Sequence, residues 1–205
     1  MLHLLAQGGW IDVRHGDGAK IIEADCFTRE GWRYTGLRLD LFRKLKRRGT
    51  IASSAGGNLA AVVALALRGE VPLAFQLLIY PATDQHPAHD SRQRNAQGYL
   101  LTADTMRWFH DHYITDAAWD DDWRASPLRA ESLAGLPPAL VLTAGFDPLR
   151  DEGVAYAQRL SETGVRASLV SFERQIHGFI LMGRVLDEAH TAVDLCAASL
   201  ARALA

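Results

Sequence analysis

Residues 50–67 read TIASSAGGNLAAVVALAL: a short β-branched start runs into Ser53-Ser54 and three very small residues, then at once into an alanine-rich helical pattern. A strand that becomes a helix within a residue or two brings two backbones close together. Only small neighbours leave room for that approach. Ala52 and Gly56, two positions to either side of Ser54, meet the requirement. The junction therefore reads as a sharp strand–serine–helix turn that lifts a hydroxyl to the end of a sheet.

Outward from this turn, apolar runs with β-branched residues alternate with helical patterns. Strands are expected at IIEADCF (21–27), TIAS (50–53), FQLLIYP (75–81), ALVLTAGFD (139–147) and ASLVSF (167–172), and helices over 37–48, 56–68, 102–113, 150–163 and 184–204. Strand-then-helix repetition of this kind predicts an α/β fold with a mostly parallel sheet flanked by helices. Ligands of such sheets bind at the carboxyl ends of the strands. Three strand ends carry a matching set: Ser54, Asp147 and His177, in that chain order, which is the order of α/β-hydrolases. In these roles Ser54 attacks a carbonyl carbon, His177 takes its proton and later delivers it to the leaving group, and Asp147 fixes the imidazole tautomer. The backbone N–H of Ala55, at the helix start, helps bind the developing oxyanion.

With these residues in view, the sequence resembles the bacterial esterases related to hormone-sensitive lipase. Their serine turn typically reads GDSAGGN, where this chain has ASSAGGN, with Ala52 for the first glycine and Ser53 for the aspartate. The resemblance continues through GYLLTADTMRWFHDHY (98–113), ASPLRAESLAGLPPALVLTAGFDPLRDEG (125–153) and IHGFILMG (176–183). It implies hydrolysis of short-chain carboxylic esters without metal or organic cofactor, and places Ser54, Asp147 and His177 on the triad positions. It also implies a glycine loop upstream that completes the oxyanion hole. The nearest counterpart is Ala6-Gln7-Gly8-Gly9-Trp10, which nominates the amides of Gly8 and Gly9. Trp10, Phe179 and Ile180 are nominated to line the substrate pocket, and pairing into a homodimer is consistent with the family.

Only 43 residues separate Trp10 from Ser54, room for one strand–helix unit of about 30 residues but not the two that relatives fit there. The expected architecture is thus a single α/β-hydrolase domain over 1–205, atypical over 1–49, family-like over 50–205 and incomplete at its N-terminal side.

Composition narrows the classes further. With 205 residues, 48% hydrophobic and 22% charged, the chain has the make-up of a globular domain with a substantial core. A net charge of −2 gives no general reason to expect nucleic acid or an anionic membrane. The basic run FRKLKRR (42–48) reads as a solvated helix end. Cys26 and Cys196 are too few and too far apart for a disulfide framework, and the longest apolar run, LAAVVALAL, is too short to span a bilayer. A cytoplasmic protein is the expectation. His86, His89, His110 and His112 read as solvated loop histidines rather than metal ligands, and WDDDW (119–123) as an exposed loop. Trp108, Phe109 and Tyr113 read as the buried face of a helix, while Asp151 and Glu152 read as serving a helix dipole. The function that follows is a serine carboxylesterase with a small ester as substrate. The alternative is a non-catalytic hydrolase relic, its oxyanion hole impaired, that binds only a small ligand or a partner chain.

Overall fold

The structure is a computed structural model that describes residues 10–15, 21–27, 33–34, 50–114 and 116–205. The chain divides into two compact units, Met1–Arg48 and Gly49–Ala205. The division falls within one residue of the place where the sequence changes character.

In the first unit, β1 (Trp10–His15), β2 (Ile21–Phe27) and β3 (Arg33–Tyr34) form an antiparallel sheet in the order β1-β2-β3. Its register runs from Trp10 opposite Phe27 to Arg14 opposite Glu23, and Cys26 stands opposite Tyr34. The strand expected at 21–27 forms with those bounds, but it does not join a parallel sheet. Five residues separate it from β1, whereas parallel neighbours need a crossover of about a dozen or more. A short connector holding two glycines suits a hairpin instead. The helix expected over 37–48 lies outside the described residues.

The second unit is a four-stranded, all-parallel sheet in the order β4-β5-β6-β7, built from β4 (Thr50–Ser53), β5 (Gln76–Ile79), β6 (Ala139–Phe146) and β7 (Ala167–Ile176). Among the described residues five α-helices accompany it: α1 (Ala55–Ala66), α2 (Asp90–Arg94), α3 (Ala103–Tyr113), α4 (Arg150–Glu162) and α5 (Asp187–Leu204). Successive strand residues point to opposite faces, so each strand feeds two cores. Leu78 and Val141 face one side, where Ala60, Ala61 and Ala64 of α1 and Tyr156, Ala157 and Leu160 of α4 cover them. Leu77, Leu140 and Leu142 face the other, under Ala189, Ala192 and Cys196 of α5. The alanine stripe of α1 lets that helix lie close to the sheet, directly behind the residue at its start.

Helix α3 departs from expectation. It buries no residue, and Trp108, Phe109 and Tyr113 stand exposed rather than facing the core. The rings pack along the helix itself, Trp108 against His112 at 4.2 Å and against Phe109 at 5.3 Å between centroids. Among the described residues, no helix is long and apolar enough to cross a membrane.

The pairing of β6 with β7 shifts between Ala144 and Phe146, and the two backbones nearly touch there: a Cβ on Gly145 would lie 2.0 Å from the Glu173 carbonyl oxygen. Only glycine fits this approach. Gly145→Ala is expected to cost about 3 kcal/mol and to lower the melting temperature by roughly 6–12 °C, read by circular dichroism. An unchanged melting temperature would show that β7 yields freely at this point.

Candidate active site

Each side chain of the expected triad leaves the carboxyl end of a strand of the parallel sheet. Ser54 follows β4 directly and has φ 54° and ψ −126°, a conformation that an L-residue holds only when its surroundings impose it. Two backbone hydrogen bonds across β4 and β5 impose it: Ser54 N donates to Ile79 O at 3.0 Å, and Ala82 N donates to Ser54 O at 3.3 Å. Asn58, buried one turn into α1, tightens the same corner by donating to Ala82 O at 2.8 Å and Ala125 O at 2.7 Å. Ala55 is the first residue of α1, so its N–H has no acceptor within the helix and stands beside the hydroxyl.

Asp147 lies one residue beyond β6 and is fully buried. Its Oδ1 accepts from Leu149 N at 2.8 Å, and its Oδ2 faces His177 Nδ1 at 2.7 Å. His177 comes one residue after β7, and Gly178, with φ 82°, reverses the chain immediately behind it. The other ring nitrogen, Nε2, lies 3.0 Å from Ser54 Oγ. The three groups therefore form one continuous hydrogen-bonded chain from carboxylate to hydroxyl. A carboxylate on Nδ1 fixes the tautomer that leaves Nε2 free to accept a proton, which is the arrangement acyl transfer to a serine requires.

Tyr80 supports the imidazole. It is buried, has φ 36°, and sets its ring 4.5 Å from that of His177 at a tilt of 55°. Burial pushes its phenol up to about 12, while a hydrogen bond with Ser53 pulls the other way. Phe179 is completely buried against Phe172 and Tyr80, beneath the turn that carries His177, and Ile180 packs at the edge of the same cluster. Trp10 opens β1 of the first unit. Gly8 and Gly9 lie outside the described residues.

Behind Asp147 sits a network of charges that the sequence did not disclose. Glu152, expected to serve the helix dipole, is fully buried and ion-paired with Arg92 at 2.7 Å. Burial pushes its carboxyl up to about 7 against the pull of Arg92 and of the amides of Thr83 and Asp84. Three of the four histidines read as solvated hold carboxylates: His89 pairs with Asp84, His86 with Asp121 and His110 with Asp120, while His112 is exposed, 2.7 Å from Trp108 O. Asp120 and Asp121, from the WDDDW segment, lie in a 3₁₀ turn over Ala117–Asp121. Short-range polar character gave each of these residues away as polar, but their partners lie 5 to 69 positions off, beyond any local pattern.

Comparison with known proteins divides the chain in two. Residues 48–181 match the model of a family described as having the alpha/beta hydrolase fold, whereas residues 1–62 match a family described as a putative toxin of a bacterial toxin-antitoxin pair. An ethyl acetate hydrolase of Pseudomonas putida is 40% identical over 147 residues, which are 70% of this chain and 46% of that protein. The solved structure of the carboxylesterase EstE1, cloned from a metagenomic library, has a TM-score of 0.72 and 40% identity, covering 76% of this chain and 55% of the other. A UPF0386 protein of Hyphomonas neptunium is 61% identical over 56 residues, 27% of this chain and 66% of its own length. The chain spans about half the length of the curated hydrolases that it matches.

Asp84 gives the stability of the fold a dependence on pH. Burial opposes its ionisation, but hydrogen bonds from His89 and Arg129 outweigh that and hold its carboxyl well below the usual carboxylate range. A depressed folded-state pKa stabilises the fold above the unfolded value near 4, and that stability is lost as the pH falls below it. Asp84→Asn is expected to destabilise the protein by about 2 kcal/mol at pH 7 in urea unfolding. The gap between variant and wild type narrows as the pH drops to 3.

Proposed function

Because the chain belongs to the α/β-hydrolase-fold family, in its hormone-sensitive-lipase-like branch, we propose that it is a serine carboxylesterase that cleaves short-chain esters through an acyl-enzyme on Ser54. The observation that carries this reading is the unbroken chain from Asp147 Oδ2 through His177 to Ser54 Oγ, at 2.7 and 3.0 Å. In the first half-reaction His177 Nε2 takes the Ser54 proton as Oγ adds to the ester carbonyl. The tetrahedral oxyanion forms beside the Ala55 amide, and His177 returns the proton to the departing alcohol. Water then repeats these steps on the acyl-enzyme and releases the acid. No metal or organic cofactor takes part in this scheme. The amides of Gly8 and Gly9 complete the oxyanion hole, small esters are the substrates, and the setting is cytoplasmic with pairing into a homodimer.

A second reading rests on the match of residues 1–62 to the toxin family. In it the chain joins two modules, with Gly8 and Gly9 in a segment of different kinship from the hydrolase half, and the oxyanion hole reduced to the α1 side. Charge follows the same division: residues 1–48 hold ten Lys and Arg against six Asp and Glu, and residues 49–205 hold twelve against eighteen. The hydrolase half is then a relic that retains the triad but turns over poorly.

Release of p-nitrophenol from acetate and butyrate esters separates the two. The esterase reading expects saturable turnover that falls by several orders of magnitude, on the order of 10⁶, in Ser54→Ala. Gly8→Pro, verified as folded by circular dichroism, loses ~10²–10³-fold relative to wild type if the Gly8 loop supplies a donor. Wild type indistinguishable from Ser54→Ala would overturn the esterase. Turnover by wild type that Gly8→Pro leaves intact would favour the two-module reading.

A further inference from the structure

The first turn of α4 carries three charged residues in a row, and they part company. Arg150 stays at the rim, paired with Asp151 at 2.8 Å and Glu173 at 3.0 Å. Asp151 accepts from Ser91 N at 2.8 Å. Glu152 turns inward and is fully buried. Its Oε1 accepts from the amides of Thr83 at 2.8 Å and Asp84 at 3.2 Å, and its Oε2 accepts from Arg92 Nε at 2.9 Å and Nη2 at 2.7 Å. Arg92 in turn donates to the carbonyls of Gln85 and Asp84. A fork-shaped guanidinium on a carboxylate fixes orientation as well as distance, and the fully buried Glu152 has no water to fall back on.

What the pair holds is the turn that bears Asp147. Arg92 is the middle residue of the short helix α2, and its neighbours reach that turn directly. Ser91 Oγ donates to Pro148 O at 2.8 Å and accepts from Asp151 N at 3.1 Å. Asn95, the next residue after α2, donates through Nδ2 to Asp147 O at 3.1 Å and Gly145 O at 3.2 Å. A five-residue helix has little stability of its own, so something must hold it in place.

We propose that Glu152 and Arg92 are a positioning pair for the triad: they clamp α2 against the 145–149 turn, so that Ser91 and Asn95 hold the Asp147 carboxylate in line with His177 Nδ1. The proposal rests on the esterase reading of Ser54, Asp147 and His177 and deepens it. Neither Glu152 nor Arg92 touches the reacting groups. A pair that served only fold stability would leave the Asp147–His177 hydrogen bond unaltered once the protein had folded.

The test follows the far-downfield proton resonance of His177 Nδ1–H by NMR, together with kcat, KM and melting temperature, in wild type, Glu152→Gln, Arg92→Lys and Ser91→Ala. Ser91→Ala leaves the ion pair intact and removes only the hydroxyl's links to Pro148 O and Asp151 N, which keeps the test open if either charge variant fails to fold. The expected result in the folded variants is a downfield resonance that moves or broadens, with kcat lower by about 10- to 100-fold and KM little changed. Lower melting temperatures with the resonance and kcat unchanged would overturn the proposal. A wild type with neither a downfield resonance nor Ser54-dependent turnover would instead sink the esterase reading beneath it.

Discussion

The backbone of Ser54 is the constraint from which the rest of the second unit follows. A serine at φ 54° and ψ −126° does not hold that conformation unaided; the end of β5 holds it, with Ile79 O taking its N–H and Ala82 N reaching its carbonyl. Those two hydrogen bonds require β5 to end beside β4 and to turn at once. Tyr80 makes that turn with a positive φ of its own. The two strained residues are therefore a coupled pair on adjacent strands. One presents the hydroxyl and the other presents an aromatic face to the imidazole that must meet it. Asn58 and the alanines of α1 serve the same corner, the first by satisfying two carbonyls and the second by letting the helix lie close to the strands.

Legibility in the sequence followed the range of the interactions. Ser54 was readable because the strand–helix turn demands small residues within two positions of it. Asp147 and His177 were readable because parallel strands end in runs of β-branched and apolar residues, and polar groups just beyond such runs stand out. The strands at 50–53, 139–147 and 167–172 appeared within a few residues of their expected bounds for the same reason. Tyr80, Asn95 and Glu152 were not readable, since each owes its role to a partner set by the fold rather than by neighbouring residues. Glu152 illustrates the difficulty: a glutamate in the first turn of a helix suits the dipole whether it points outward or, as here, inward onto an arginine 60 positions earlier. Helix α3 failed in the opposite direction, because aromatic residues at helical spacing satisfy one another as well as a core.

The first 48 residues obey different physics from the remainder. β1 and β2 are joined by five residues and pair antiparallel, which a hairpin permits and a crossover does not. The parallel sheet, by contrast, spends 20 residues or more between each pair of consecutive strands. A stretch read as a shortened part of one parallel sheet thus forms a small sheet of its own, within the residues that match a family other than the hydrolases. The misreading came from IIEADCF alone: a β-branched run reveals a strand, but the direction of its neighbour is written in the length of the connection.

The charges behind Asp147 show why such a site cannot rest on three side chains. A carboxylate wholly removed from water is costly unless each oxygen is occupied, and Asp147 meets that demand with Leu149 N on one oxygen and His177 on the other. The turn that delivers Leu149 N to the first oxygen is itself pinned by Ser91 and Asn95 through main-chain carbonyls. Those two residues are placed by a five-residue helix whose anchor is the Arg92–Glu152 pair. Each layer is a small polar problem solved by the next. An ion pair suits the last of them better than apolar packing because directional hydrogen bonds fix angles, and it is the angle of Asp147 toward His177, more than its mere presence, on which the proposed transfer of the Ser54 proton rests.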